Sequence, residues 1–261
     1  MTAAAASFEW IEPGFRLVAG LVPWDTEVFG FPVAQVRDIR VQDPVASAAA
    51  WRSFARWLNE QAIRIVSCRL PMDRLRESFQ LEAHGFRFVE VVLRPHRASL
   101  EGLPPQIHGL GIAPATDADL PALIEIAERA FRHERYHVDP RLDPRLGDLR
   151  YARWVRTSLG HPSQQLLAIT DGPRLIGFFV VERQDAGAVY WHLNAIAPEH
   201  HGQGYGRRAW LAMLHRHRDE GATSVATTIS VRNVAVQNLY AQLGFRFLPP
   251  EMTFHWVRGD E

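Results

Sequence analysis

The sequence predicts a mixed α/β protein with a mostly antiparallel sheet, flanking helices and a smaller N-terminal α/β domain. Three observations predict this class. Short apolar runs rich in β-branched and aromatic residues alternate with amphipathic helical segments. The turn Asp171-Gly172-Pro173 joins two such runs, as in a β-hairpin. A loop with three glycines separates a third apolar run from a helical segment at Gly202–Gly206.

Composition indicates a globular protein and excludes several partner classes. The 261 residues are 47% hydrophobic and 22% charged, as in soluble domains. Basic and acidic residues number 29 each, so no global field predicts nucleic acid or a membrane as a partner. Every basic residue is arginine, which is typical of a GC-rich bacterial genome.

Cys68 is the single cysteine, which excludes an intrachain disulfide and a cysteine metal site. We expect no metal. The start of the chain lacks the basic region of a secretory signal, and no apolar run reaches the roughly 18 residues of a membrane span. The sequence therefore predicts a cytoplasmic protein.

Domain organisation follows from the segment Arg94–Gly111, which carries three prolines and three glycines and has no apolar period. We place a boundary near Pro105, between an N-terminal domain (1–105) and a second domain (106–261). The first domain is predicted to contain strands and two helices: strands over 15–22, 31–36, 63–70 and 86–93, helices over 44–61 and 72–84.

The second domain is predicted to begin with a helix that opens at Thr116 and Asp119, which resemble a capping box. A polar loop over 133–147 follows. The remaining elements are a helix (149–159), a hairpin (166–170 and 175–182), a strand (188–197), a helix to about 220, a strand (223–230), a helix (234–243) and closing strands. Val66–Phe88 echoes Val225–Phe247, so the N-terminal domain is a candidate reduced copy of the second.

The loop Pro198–Arg208, PEHHGQGYGRR, is the strongest local signal of a binding site. Its glycines allow successive backbone N–H groups to point in one direction. The helix after it adds the positive end of its dipole. The sequence therefore predicts a phosphate or pyrophosphate site, although a plain glycine turn would leave the same pattern.

A second motif, Asn233–Phe245 (NVAVQNLYAQLGF), stands about thirty residues later. Together the two motifs resemble the Gcn5-related N-acetyltransferase (GNAT) superfamily over roughly Ile112–Val257. The resemblance implies a GNAT sheet and acetyl-CoA as cosubstrate, without a metal. His201 and Val236 depart from the usual residues of the two motifs. The implied coenzyme A-binding residues are Ala195, Ile196, Ala197, His201, Gly202, Gln203, Gly204, Tyr205, Gly206, Arg207 and Asn233.

The resemblance also implies that Tyr240 donates a proton to the departing thiolate, although a buried packing role would explain the same tyrosine. The general base is left open between His192 and Glu90. Tyr190, His192 and Asn194 are expected on one face of their strand because side chains alternate there. His192 has an intrinsic pKa suited to accepting a proton.

A finer resemblance connects the chain with the two-domain dTDP-fucosamine acetyltransferase type. It rests on three segments: Pro23–Val36, His84–Leu93 and Ala130–Pro140. It implies a small-molecule amine acceptor, a nucleotide-linked amino-dideoxy sugar. The implied acceptor-binding residues are Arg135, Tyr136, His137, Asp139 and Asn194.

Alternatives to this function stay open at this stage. The charged loop could be solvated, and the acceptor could be a protein N-terminus, an antibiotic amine or a polyamine. A non-catalytic acyl-CoA-binding protein is a further class, and a homodimer is also open. We expect His215 and His217 to face solvent.

Overall fold

The computed structural model describes residues 7–44, 47–107 and 109–259. Residues 45–46 of the predicted helix from Pro44, residue 108 of the predicted linker and the ends of both predicted domains lie outside the described residues. The chain divides into two compact units. The first comprises the described residues up to Val91, Val138–Leu146 and those from Pro249 onward. The second comprises Val92–His137 and Gly147–Leu248.

These units do not coincide with the ranges predicted from the linker. The first break lies at Val91, within strand β5 (Arg87–Arg97), rather than near Pro105. The second half of β5 pairs with strand β10 (Ser224–Thr227) of the second unit. The end of the last strand, β12 (Arg246–Val257), belongs to the first unit. These limits follow the pairing of the strands. A boundary drawn from composition takes no account of strand pairing.

The first unit contains strands in the order β1-β2-β3-β4-β12. Strands β3 and β4 are parallel, and the other neighbours are antiparallel. Its elements are β1 (Ser7–Glu12), β2 (Phe15–Leu21), α1 (Pro23–Phe29), β3 (Val33–Val41), α2 (Ala48–Glu60), β4 (Ile65–Pro71), α3 (Leu75–Ala83) and the start of β5.

The core of the first unit is built around the buried face of α2. Trp51, Phe54 and Trp57 recur at helical spacing on that face and are all buried. Phe8 from β1 meets Phe54 edge-on, with ring centroids 5.2 Å apart. The aromatic periodicity of one helix therefore fixes how it covers the sheet.

The second unit contains strands in the order β5-β10-β9-β8-β7-β6, with β9 and β10 parallel. Two apolar clusters fill it. Its elements are β6 (Gly111–Pro114), α4 (Leu120–Ala130), α5 (Arg135–Val138), α6 (Arg145–Ser158), β7 (Gln164–Asp171), β8 (Arg174–Arg183), β9 (Ala188–Ile196), α7 (Tyr205–Asp219), β10, β11 (Ile229–Ser230), α8 (Val234–Gln242) and the start of β12.

The predicted class, a mixed and mostly antiparallel α/β architecture with flanking helices, is confirmed. Several details of the predicted elements were wrong. Strand β1 and helix α1 were not predicted, and the loop over 133–147 contains α5 and the start of α6. The strand predicted over 223–230 is interrupted at Thr228. The predicted closing strands are one long strand, β12.

The expectation that His215 and His217 face solvent is wrong. Both side chains are buried on α7, which is covered on most of its circumference. His215 Nε2 lies 2.8 Å from the carbonyl oxygen of Pro104. Trp191 Nε1 donates to His217 Nε2 over 3.0 Å. Although α7 contains many polar residues, His215 and His217 form hydrogen bonds inside the protein rather than with solvent.

In the described parts of the chain, no helix is long and apolar enough to cross a bilayer.

The buried His217 predicts a pH-dependent stability. Burial lowers the pKa of His217 to about 4, against about 6.5 in an unfolded chain. As pH falls from about 6.5 to 4, the unfolded chain binds a proton that the folded chain excludes, so stability falls. Between pH 7 and 4.5 we expect a loss of about 2–3 kcal/mol from this group.

The measurement is urea unfolding of the parent and His217→Gln at both pH values. Glutamine keeps an acceptor for Trp191 but does not titrate, so His217→Gln should lose less stability on acidification. The exposed His133 supplies the control, His133→Gln. Equal losses in the parent and in His217→Gln would show that His217 is not the titrating group.

Candidate functional site

A cavity of about 360 Å³ lies in the second unit, where β9 ends and α7 begins. Backbone and side chains from β9, the glycine loop, α7 and α8 surround it. Its lining residues are Ala130, Phe131, His133, Asn194, Ala195, Ile196, His200, His201, Gly202, Gly204, Tyr205, Gly206, Trp210, Asn233, Ala235, Val236 and Leu239.

The cavity lies where two parallel strands separate. Strands β9 and β10 pair from Ala188↔Ser224 to Trp191↔Thr227. Beyond that point β9 continues to Ile196, and no described residue of β10 pairs with it. Thr227 Oγ1 donates to the carbonyl oxygen of Trp191 over 2.8 Å at the point of separation. One edge of β9 is therefore left open to a ligand that can hydrogen-bond with backbone.

The glycine loop places the start of α7 against this cavity. Gly202 and Gly204 have φ values of 75° and 79°, in the left-handed region that favours glycine. A Cβ at either position would meet no heavy atom within 4 Å, so backbone conformation rather than crowding requires these glycines. The first amides of α7 have no intrahelical acceptor and lie at the positive end of the dipole. This geometry suits a phosphate group.

Two side chains of the loop fix its position. His201 Nε2 lies 2.8 Å from the carbonyl oxygen of Ile196, which ties the loop to the end of β9. The hydroxyl of Tyr205 donates to Asp171 Oδ2 over 2.6 Å. That hydrogen bond lowers the pKa of the Asp171 carboxyl. His201, a departure from the usual motif, thus holds the loop itself.

Most of the predicted coenzyme A-binding residues line this cavity, but three do not. Ala197 is buried in an apolar cluster of the unit. Gln203 and Arg207 are exposed, and Gln203 Nε2 donates to the carbonyl oxygen of Glu199. The sequence analysis missed Phe131 and Trp210; Trp210 lies one helical turn after Gly206, a spacing that could have revealed it.

Asn233 has two structural roles in the unit. Its side chain caps α8 by accepting from the amide of Val236 over 3.3 Å. It also lines the cavity. Capping orients α8 and therefore the tyrosine that α8 carries.

Tyr240 is fully buried on α8, with its ring 4.8 Å from Phe245. Burial raises the pKa of its hydroxyl to about 12, and the polar groups of Trp210, Thr227 and Asn194 oppose this weakly. Within the described chain, neither the Tyr240 hydroxyl nor Trp210 Nε1 has a hydrogen-bond partner of good geometry. Buried polar groups without partners are rare. Here they lie next to residues of the cavity wall.

His192 lies at an irregularity in β9. Strands β8 and β9 pair at Val180↔Leu193 and then at Val181↔Trp191, so His192 is the extra residue of a β-bulge. Because of this extra residue, the side chains after the bulge point to the opposite face from the one that simple alternation predicts. Asn194 therefore lines the cavity, whereas His192 lies with Trp154 of α6, with 5.8 Å between ring centroids. Tyr190 and His192 share a face, with ring centroids 4.8 Å apart, but the prediction is wrong for Asn194, which follows the bulge.

His192 is held by Glu182, a residue that the sequence analysis did not single out. Its Nε2 lies 2.7 Å from Glu182 Oε2. The hydrogen bond lowers the pKa of the Glu182 carboxyl. Because an ionised carboxylate only accepts, Nε2 carries the proton and Nδ1 keeps its lone pair. Pairing of Glu182 with Tyr190 in the hairpin register brings these groups together.

Glu90, the other candidate base, lies in the first unit. Its side chain is buried, and one carboxylate oxygen is 3.8 Å from Arg69 Nη2. An ionised carboxylate beside an arginine is stabilised in its charged form. The structure gives Glu90 an internal partner in that unit.

The predicted acceptor-binding loop is largely internal. Tyr136 is fully buried, and Arg135 lies over its ring at 4.9 Å. His137 Nε2 is 3.0 Å from Asp148 Oδ1. A Cβ at Gly147 would overlap the His137 ring, so this glycine provides its space. Arg135 and His137 are partly buried as residues, whereas Tyr136 is buried.

Asp139 of the same loop lies in the first unit. Its carboxylate is 3.0 Å from His255 Nδ1 and 2.8 Å from Arg141 Nη2. Burial alone would raise the pKa of Asp139, but the hydrogen bonds from His255 and Arg141 outweigh it and lower that pKa. Three of the four predicted loop residues thus have packing or ion-pair roles.

No group of three or more potential metal ligands occurs among the described residues.

Comparison with known proteins finds a family model that is similar to part of the chain. A model described as the acetyltransferase (GNAT) family matches residues 120–245. Comparison with curated protein sequences finds no relative.

Solved structures share the fold at low sequence identity. A GCN5-related N-acetyltransferase from Sphaerobacter thermophilus is 14% identical, with TM-score 0.63 over 92% of this chain and 76% of that one. A GCN5-related N-acetyltransferase from Kribbella flavida is 16% identical, with TM-score 0.63 over 97% and 90%. A tandem GNAT protein of the clavulanic acid biosynthesis pathway is 14% identical, with TM-score 0.62 over 98% and 84%. Residues 120–245 are therefore similar to the acetyltransferase (GNAT) family, and the chain shares the fold of these solved N-acetyltransferases.

Proposed function

We propose that this enzyme transfers the acetyl group of acetyl-CoA to the amine of a small acceptor. The observation that carries the proposal is the cavity at the separation of β9 and β10. The amides at the start of α7 and the cap of α8 border it, and the buried Tyr240 hydroxyl lies behind its wall. The backbone proposed to hold a phosphate and the proposed proton donor thus lie close to one cavity.

The residues present fit coenzyme A. Left-handed backbone at Gly202 and Gly204 leaves open space in front of the first amides of α7, where a pyrophosphate would be held. Apart from the Ile196 carbonyl, which His201 binds, the open edge of β9 at Ala195 and Ile196 offers backbone groups to pantetheine. When bound, acetyl-CoA supplies a thioester whose carbonyl carbon an amine can attack.

His192 is the proposed general base. An alkyl amine with a pKa near 10 is protonated at neutral pH and must lose a proton before it can attack. Nδ1 of His192 is free to accept that proton because Glu182 holds Nε2. Glu182 is the positioning residue, since it fixes the tautomer and stabilises the imidazolium that forms. Glu90 stays an alternative base from the sequence.

Tyr240 is the proposed general acid. Its raised pKa keeps the hydroxyl protonated at neutral pH. Burial also disfavours a thiolate anion close to Tyr240. Loss of the proton is therefore unfavourable both for the tyrosine hydroxyl and for the leaving thiol. The hydroxyl can therefore donate a hydrogen bond to the developing thiolate and then its proton. Trp210 and Asn194, which line the cavity, lie close to this hydroxyl.

A nucleotide-linked amino-dideoxy sugar is the acceptor that we propose first. The resemblance of three segments to the dTDP-fucosamine acetyltransferase type supports it, and the half-buried Arg135 could bind a diphosphate. The other three predicted loop residues give less support because each has a packing or ion-pair role; they are Tyr136, His137 and Asp139.

A small amine without a phosphate is the second candidate. The surface beside His192 carries Trp154, Tyr190 and the carboxylate of Glu182, all half-buried. An acidic group beside aromatic rings favours a cationic amine over an anionic nucleotide.

Release of free thiol from acetyl-CoA tests the function directly. The panel consists of nucleotide amino sugars, simple amines and peptide N-termini. Turnover with the sugars supports the first acceptor, and turnover with only simple amines supports the second. Binding of acetyl-CoA without turnover of any amine would indicate a non-catalytic acyl-CoA-binding protein.

Gly204→Val should weaken acetyl-CoA binding at least tenfold. The substitution strains a backbone at φ 79° and places methyl groups in the space before α7. Gly172→Val is the matched control, because Gly172 also has a positive φ and open surroundings but lies outside the cavity. Calorimetry that finds equal affinity for both variants would remove the loop from the binding site.

Tyr240→Phe should lower kcat by about 10²-fold, the lower end of the range for general acid catalysis. The ring and its packing remain, so acetyl-CoA affinity should change little. Tyr151→Phe, at a buried tyrosine of the other apolar cluster, serves as the control. Turnover by Tyr240→Phe within about threefold of the parent would mean that the tyrosine only packs.

His192→Ala should lower kcat/KM by about 10²-fold and abolish the acidic limb of its pH profile. Glu182→Gln keeps an acceptor for Nε2 but loses the charge that stabilises imidazolium, so kcat/KM should fall as well. Glu125→Gln on the exposed face of α4 is the control. An unchanged acidic limb in His192→Ala would contradict this assignment of the base.

A further inference from the structure

The first unit has its own opening between two parallel strands. Strands β3 and β4 pair from Val33↔Ile65 to Val36↔Cys68 and then separate. Beyond this point β3 stays paired with β2, and β4 stays paired with β12. A cavity of about 180 Å³ lies at the separation. It is a distinct cavity with its own lining, and neither the sequence motifs nor the proposed reaction uses it.

Positive charge dominates the cavity wall. One carboxylate, Asp38, lines it beside four arginines: Arg37, Arg40, Arg69 and Arg74. Asp38 is already neutralised, because Arg16 Nε and Arg40 Nε lie 2.9 Å and 3.0 Å from its two oxygens. The cavity therefore keeps a surplus of positive charge.

Arg37 is the arginine that the unit leaves without a carboxylate. Among the described residues it has no ion pair, unlike the other arginines of the wall. Its guanidinium lies against Gly20 of β2, where a Cβ would be 2.8 Å from Nη2. Gly20 has an ordinary φ, so space rather than backbone conformation explains this glycine. The absence of a side chain at Gly20 therefore leaves room for the Arg37 guanidinium.

The same opening already binds one carboxylate of the chain. Glu77 Oε1, from α3, accepts from the amide of Val41 over 3.1 Å. Arg74 Nη1 lies 3.4 Å from the same oxygen. Glu77 is buried, so this end of the opening recognises an oxyanion with one backbone amide and one arginine. A second oxyanion in the neighbouring cavity would meet similar groups.

We propose that this cavity binds a small oxyanion, as a ligand site separate from the acetyl-transfer site. About 180 Å³ corresponds to roughly six waters at about 30 Å³ each, enough for a phosphate or a short carboxylate. Arginine binds phosphate and carboxylate through two parallel hydrogen bonds, so both are candidate ligands.

Calorimetry of the full chain at low ionic strength tests the proposal with two probes, inorganic phosphate and succinate. We expect one of them to bind at one site with a dissociation constant below about 1 mM. Arg37→Gln should weaken that binding at least fivefold. Gly20→Ala should weaken it as well, because the added Cβ displaces the Arg37 guanidinium without removing charge.

Two further variants make the result specific. Arg56→Gln, at an exposed arginine of α2 outside the cavity, should bind as the parent does. Gly204→Val should also bind as the parent does, which separates this site from a phosphate held at α7. Absence of binding for both probes overturns the proposal. Equal weakening by Arg37→Gln and Arg56→Gln, or loss of binding in Gly204→Val alone, overturns it as well.

Discussion

The end of pairing between β9 and β10 is the constraint on which the second unit depends. The strands are parallel and bonded only as far as Trp191 and Thr227. Parallel neighbours that separate leave unpaired backbone in the interior of a sheet, which is costly unless something else satisfies it. In this unit Thr227 bonds the last paired carbonyl, and His201 bonds the carbonyl of Ile196. The rest of the open edge is available to a ligand.

The bulge at His192 divides the proposed chemistry between two faces of β9. Without the extra residue, Asn194 would lie on the same face as His192. With it, Asn194 approaches the buried Tyr240, and His192 pairs with Glu182 beside α6. A base on one face and an acid on the other suit a reaction in which the amine approaches from one side and the thiolate leaves on the other.

How much the sequence could predict depends on how local each feature is. The glycine loop, the cap at Asn233 and the position of Tyr240 on α8 are local, and the motifs predicted where they lie. The pairing of Glu182 with His192 depends on the register of a hairpin with a bulge, which no spacing rule contains. Asp139 and His217 are polar in sequence but buried because of partners far along the chain, His255 and Trp191. Tertiary contacts, rather than composition, decide the roles of these side chains.

Strand pairing also explains why a boundary at Pro105 does not describe either unit. In each unit the second strand of the parallel pair is flanked by a strand from elsewhere in the sequence: β4 pairs with β12, and β10 pairs with β5. Arg97 of β5 donates to the carbonyl of Leu243 at the end of α8, close to Gly244. Leu100 is buried in the same apolar cluster as Tyr240. The second half of β5 and the residues after it thus position the helix that carries Tyr240. The segment Arg94–Gly111, which was predicted to be a linker, therefore belongs to the structure of the proposed active site.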